Sequence, residues 1–532
     1  MLCVGAKVII SIIEENIDRK VLRIMSQNKQ YSIIELALIT EPWQQDILDK
    51  KMECSRRIYN NMLSMELKKY KEMVKTKEWR NLNDIIKEEL QSSGKKSDRL
   101  KAAYARKNEI MRNNGFSEFG FISQSRISSK YYQKHISSTM ASIGIGIPMW
   151  SAFEKLFFGN GEKISFKKFD ASITLVSDNH TGIRFLKDEE GYYVRCSNRN
   201  AKTKQVKLYI KGPNNVYDRE MLDAPIKLVR ILKKIEKGKR KYYCQLTVER
   251  APFVKMDAEG NPKHAIGTGS VGIALWRGML CAVSSDRIFC TSLSPDAESF
   301  AAQRDFLHNK LNHLRKVNNP DNYNEDGTIR RGIVGEDGKR KRLQWIESNH
   351  YKKVRAELKE LYRKHNVQKA LQQNKTIIEL LSMGDNFHFA DTSFLTLKPE
   401  WDENEPLSVE EYKRKKSRRK AIHEFSPSTF FRKLDVKLTG RGLMPVCRHN
   451  IPESLYWYQH EKGMSDERLF AGKDVVIEGK TINQTIYRAF LIRHFDNEIT
   501  GNYNQKALRD EWCGFMNNLD KITEKERTKT LA

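Results

Sequence analysis

Nowhere in this chain do two cysteines stand close enough to form a C-x-x-C pair; the eight lie at positions 3, 54, 196, 244, 281, 290, 447 and 513. That scatter excludes a disulfide framework and suits a reducing cytosol. Long hydrophobic runs are missing too. Met1–Ile13 is apolar but has neither a basic leader nor the length of a membrane span, and Glu14-Glu-Asn-Ile-Asp18 follows at once. It reads as an N-terminal extension from a start site set too early, and no membrane partner is expected. The third scarcity is acid. Lys and Arg number 95 against 67 Asp and Glu, leaving a formal charge of +28 and a pI of about 9.6. Such an excess favours a polyanion partner, because each phosphate neutralised releases counterions. The length, 532 residues, allows a large core and about two to four domains.

What is present is led by three short apolar, β-prone runs, Ile266–Leu275, Met279–Ser284 and Arg287–Ser292, separated by turn residues. They read as the meander that opens an RNase H-like core. Beyond them come a charged helix over Glu298–Lys316, the segment Asn318–Gly332, and a second long helix from Glu347 to about Gly384 that includes Lys359–Lys364. This series resembles the TnpB family of transposon-associated RNA-guided nucleases and their descendants, the compact type V CRISPR effectors. The resemblance spans roughly residues 25–500, and Asn318–Gly332 is its most specific piece.

The resemblance implies an α+β multidomain chain. An antiparallel wedge β-barrel with inserted recognition helices precedes an RNase H-like (RuvC-type) α/β domain that carries a zinc-ribbon insert. On this chain the expected divisions are an extension (1–24), the first barrel strand (25–45), a helical recognition domain (46–140), the barrel (141–262), the RuvC-like domain (263–444), the insert (445–482), and a closing helix and tail (483–532).

In that family two divalent metals ~4 Å apart align the attacking water and the leaving oxygen. At an effective dielectric of about 20, two bare dications at that separation repel by roughly 16 kcal/mol, which acidic side chains must offset. By motif position the three acids fall on Ser270, on Ala390 at the end of the strand Asn386–Phe389, and on Thr485 in the helix Gln484–Leu491. None is acidic. The insert is degenerate as well. A zinc ribbon needs four Cys or His ligands in two close pairs, whereas 445–482 contains Cys447, His449 and His460. No catalytic magnesium and no zinc is therefore expected, and the chain is expected to be no enzyme.

Other segments suggest contacts to nucleic acid. Tyr31–Leu38 alternates as a strand, and Glu41–Gln45 opens a helix that runs through Leu63 with apolar residues at helical spacing. By the resemblance, Arg56, Arg57, Tyr59 and Asn60 on it approach the target duplex, although Tyr59 suits a helix core equally well. Residues 46–135 read as helical, broken at Ser92–Lys96 and Asn113–Gly115. Ser123, Gln124 and Arg126 stand where the family reads a short duplex motif, with side chains able to reach base edges. Ser165–Phe169, Thr181–Phe185, Tyr192–Cys196, Val206–Ile210 and Tyr242–Val248 alternate like the strands of an antiparallel barrel. Lys167 and Lys168 there are candidate guide-RNA backbone contacts, or else a solvated strand face. Gly338–Arg342 is a second basic loop. Lys413, Arg414, Lys415, Lys416, Arg418, Arg419 and Lys420 are seven basic residues in eight, too dense to pack internally. They are candidates for the heteroduplex backbone, with a solvated loop as the alternative. Leu395–Glu405 reads as an exposed acidic loop with Trp401.

The expectation is thus a nuclease-dead protein that binds a guide RNA and matched double-stranded DNA beside a short motif. It would repress transcription by occupancy in a prokaryotic cytoplasm, at the nucleoid. Two alternatives stay open. One is a platform that recruits a transcription-related or transposition protein. The other is an active metal-dependent endonuclease with relocated acids, for which Asp286, Asp391 and Glu478 are the candidates.

Overall fold

The computed structural model describes residues 30–530 apart from 93–96, 159–160, 162, 170, 172, 197–205, 214, 252–253, 255, 258, 260–261, 277, 331, 333–342, 391–423, 450, 452–473, 478–479 and 497–501. The protein is mixed α+β, and the chain divides into two units, Met1–Phe253 and Val254–Ala532.

In the first unit β1 (Ser32–Ala37) follows from strict alternation, with Ser32, Ile34 and Leu36 buried and Ile33 and Glu35 exposed. Glu41 and Gln44 close a reciprocal capping box, and Pro42 supplies the first helical residue of α1 (Pro42–Val74). Leu48, Met52, Ser55, Ile58 and Met62 recur at three- and four-residue steps and are buried. Next come α2 (Lys77–Ser92), α3 (Asp98–Asn113) and α4 (Glu118–Ser129). Gly115, at φ +80°, makes the left-handed turn between the last two. A short helix, α5 (Ser138–Ala141), passes through a π-helical turn (Ser142–Gly146) into α6 (Ile147–Phe157). The strands β2 (Leu175–Asp178), β3 (Ile183–Asp188), β4 (Gly191–Cys196) and β5 (Val206–Tyr209) follow, then α7 (Val216–Leu222), β6 (Ile226–Glu236) and β7 (Lys239–Val248).

These strands form a four-stranded antiparallel sheet, β1-β7-β6-β2, and a three-stranded one, β3-β4-β5. The expected barrel is not closed. The sheets meet where Leu38 bridges Ile210, with Ile39 N–H donating to Tyr209 O (2.8 Å) and Lys211 N–H to Ala37 O (2.7 Å). Among the described residues no ladder joins β2 to β3. The chain between them turns on itself, Thr181 N–H and Oγ1 both donating to Asp178 Oδ1 (2.7 and 2.8 Å). Two further expectations change. Ser165–Phe169 lies outside every ladder, and β6, an eleven-residue strand paired along β7, was absent from the sequence reading.

The second unit is built on one sheet. The meander β8 (Ser270–Trp276), β9 (Met279–Val283) and β10 (Ile288–Ser292) is antiparallel, β11 (Asn386–Ala390) runs parallel to β8, and β12 (Cys447–His449) runs parallel to β11. The order is β10-β9-β8-β11-β12. Cys281 and Cys290, scattered by sequence number, meet as cross-strand partners with Sγ atoms 2.7 Å apart. Two long helices, α8 (Ala297–Asn318) and α9 (Asn349–Leu381), pack through Leu311, Val354 and Leu358.

Alternation along the strands divides the core. Val271, Ile273, Phe387 and Phe389 join Leu380, Leu381 and the Phe430–Leu438 face of α10 (Pro427–Thr439) in one cluster. Ala274, Cys281 and Ala390 join α11 (Gln484–Arg493) and α12 (Gln505–Thr530) in another. The sheet is thus covered on both faces. Gly272 lets α11 come close: a Cβ there would lie 2.0 Å from Ala489 O and 2.6 Å from Arg493 N. A Gly272→Ala change is expected to cost at least about 3 kcal/mol. Gly514→Ala, where a Cβ meets nothing within 4 Å in α12, should instead gain about 0.5–1 kcal/mol. Urea unfolding of the two variants checks both signs.

Candidate functional site

Strand register decides which residues can share a metal. The β8–β11 ladder pairs Ser270 with Asn386 and ends at Ile273 with Phe389, so one step further Ala390 comes alongside Ala274. Ser270 therefore sits four residues from Ala390, about 13 Å along the strands. Ala274 and Ala390 are 4% and 6% exposed, in one apolar cluster with Ile482, Ile486, Ala489 and Phe490. Thr485 is buried in the first turn of α11, its N–H donating to Oδ1 of the N-cap Asn483 (2.9 Å). Ala390 and the first turn of α11 thus share one cluster, Ser270 stands off, and the β8 residue that register brings alongside Ala390 is Ala274.

A cation occupies the neighbourhood of Ser270. Arg493, at the end of α11, donates from Nε to Ser270 O (2.9 Å) and is ion-paired with Glu511 of α12. Asn386 Nδ2 reaches Ser270 Oγ at 3.4 Å. Asp286 is on the β9–β10 turn, accepting from Ser284 Oγ (2.6 Å); that bond holds its carboxyl below the usual range. Asp391 and Glu478 lie outside the described residues.

The same sheet face carries a histidine pair absent from the sequence reading as a unit. His388 on β11 and His449 on β12 stack with ring centroids 5.1 Å apart, His388 Nδ1 lying 2.8 Å from His449 Nε2. Burial, then the neighbouring His449 and Arg493, push His388 down to about 4.

In the first unit, two sequence-predicted groups come together. Asn60 Nδ2 donates to Lys167 O (2.9 Å), Lys167 N–H donates to Asn60 Oδ1 (2.8 Å), and Arg56 Nη1 donates to Lys167 O (3.2 Å). Lys167 Nζ lies 5.3 Å from the Tyr59 ring centroid, and Tyr59 packs against the core. Asn60 thus clamps a backbone. Glu53 binds Arg56 through two hydrogen bonds of 2.8 Å and Arg57 Nε through one of 2.9 Å. Arg56 is 17% exposed and Arg57 58%, so Arg57 is the one open to a phosphate.

The clamped segment is a platform. Residues 165–169 are all exposed, placing Phe166 (51%) and Phe169 (73%) on either side of Lys167 and Lys168. Beside it a cavity of about 320 Å³ is lined by Lys155, Lys163, Lys167 and Tyr59 among others. Ser123, Gln124 and Arg126 lie on α4, where Arg126 Nε donates to Ser142 Oγ (3.0 Å). Phe119, Ser123, Arg126 and Ile127 fall at three- and four-residue steps, and Phe119, Ile127 and the following Tyr131 are exposed. Lys413, Arg414, Lys415, Lys416, Arg418, Arg419 and Gly338–Arg342 lie outside the described residues, as does Trp401.

No profile of a known protein family matches this chain, and none of the curated proteins matches it. Among solved structures, a chain of a Cas12f1–sgRNA–target DNA complex is similar at 11% sequence identity. The match covers 87% of this chain and 98% of that one, with a TM-score of 0.41.

That Phe166 and Phe169 face outward is not visible along the sequence, where an exposed ring and a core ring look alike until the backbone is placed. Their signal was the interleaving of rings with lysines in Phe166-Lys-Lys-Phe169.

The arginine anchor gives a pH dependence. Hydrogen bonds from Arg56, then Arg57, hold Glu53 down from 4.5 to about 2. Its stabilisation is full above pH 4.5 and lost as pH falls through about 2. Glu53→Gln should lower stability at pH 7 by about 1 kcal/mol and flatten that part of the acid limb. An acid limb superimposable on the parent's would show that Glu53 anchors nothing.

Proposed function

We propose that this chain binds a guide RNA and the double-stranded DNA that the RNA matches, holds both, and does not cut. The observation that carries the second half is the pairing of Ala274 with Ala390 beneath α11. The order β10-β9-β8-β11-β12 supports the RNase H-like sheet that the resemblance implies, in which a central strand and its parallel neighbour bring acids together under a helix. Here that place is filled by methyl groups and apolar side chains. Ala274 and Ala390 offer no side-chain oxygen to a hard dication, which would keep its water instead.

The first half is supported by the chain's charge, by its resemblance to the TnpB and compact type V group, and by the Phe166–Phe169 platform. Bases stack on exposed rings while adjacent lysines pair phosphates. Sequence choice would rest with the RNA, since backbone contacts alone carry none. A bound complex that never cuts blocks transcription by occupancy.

Sequencing the RNA that co-purifies with the protein tests this reading. One discrete transcript family is expected; a random sample of cellular RNA would reject it. On that RNA, Phe169→Ala should weaken binding by about 1–3 kcal/mol. Lys168→Ala should lower the slope of log affinity against log salt by about 1. Unchanged affinity and slope would remove the platform from the interface.

A further inference from the structure

The histidine pair has a third member. In the β11–β12 ladder His388 is the register partner of Cys447, and Ala390 that of His449. Cys447 and His449 are two residues apart on one strand and so share a face with His388. One ligand atom from each of the three lies within 4.8 Å of the others. We propose that His388, Cys447 and His449 bind one zinc ion, with the fourth position open to water. The proposal does not depend on the nucleic-acid reading.

The donor set selects the metal. Two imidazoles and a thiolate suit zinc, whereas magnesium and calcium take oxygen ligands. A tetrahedral zinc with Zn–N of about 2.0–2.1 Å and Zn–S of about 2.3 Å sets its ligand atoms roughly 3.3–3.6 Å apart. His388 Nδ1 and His449 Nε2, at 2.8 Å, need to part by about half an ångström, within the reach of small χ rotations. Either nitrogen of a neutral imidazole can ligate zinc.

The ion would fasten β12, an edge strand of three residues, to β11. It would also explain how a segment without a zinc ribbon keeps a Cys-x-His pair. The third ligand is 61 residues upstream of His449, which no local spacing rule detects.

The test uses the full chain, purified without chelator and without a metal-binding tag, and measured for metal by mass spectrometry. One zinc per chain is expected. Replacement by Co(II) should give a thiolate-to-cobalt charge-transfer absorption in the near ultraviolet. Cys447 is exposed, so Cys447→Ala is expected to fold, with an unchanged far-UV circular dichroism spectrum. It should lose the absorption and bind zinc at least tenfold more weakly. His388→Gln should lose zinc while magnesium at millimolar excess fails to displace it from the parent. Zinc at background level in the parent, or zinc affinity unchanged in Cys447→Ala, overturns the proposal.

Discussion

The second unit depends on how closely one helix can approach one strand. Only a glycine at 272 lets the backbone of Ala489–Arg493 rest directly on β8, since a Cβ there would lie 2.0 Å from Ala489 O. Ala274 and Ala390 lie buried in the apolar cluster that α11 joins. A carboxylate there would be desolvated with no metal to compensate it, at a cost of several kcal/mol. Arg493 completes the arrangement by tying the helix end to Ser270 O and to Glu511.

The first unit solves a different problem. Its core is closed by Phe116, Phe121, Phe153 and Phe157, which pack ring against ring at 5.1–6.2 Å. Its surface nevertheless displays other rings outward, at Phe119, Tyr131, Phe166 and Phe169. Exposed aromatics beside lysines are costly to leave in water, and they are the combination on which bases stack while cations pair phosphates. The Asn60–Lys167 clamp matters here because it holds an otherwise irregular segment in place, reducing the entropy lost on binding.

Much of this was legible beforehand, for physical reasons that differ by element. β1 and α1 announced themselves through strict period-two and helical burial, and the meander and the long helices through their length and turn residues. β6 was hidden because Lys227, Arg230, Lys233 and Lys234 interrupt its apolar residues, and the strand signal weakens when outward positions are basic. Ser165–Phe169 alternated convincingly, yet its hydrogen bonds go to a side chain on α1. Asn60 and Lys167 were picked separately and meet in space. That Ala274 and not Ser270 comes alongside Ala390 follows from register, which is set between strands and is invisible along one of them. His388 and Cys447 share the same limitation.

The most direct measurement is a paired gel assay of the RNA-loaded protein on a labelled duplex matched to its own RNA, with magnesium present throughout. A retarded complex on the native gel, with both strands full length on the denaturing gel after prolonged incubation, is the result expected here. Strands shortened at a defined distance from the matched segment, dependent on magnesium and abolished by chelator, would contradict it.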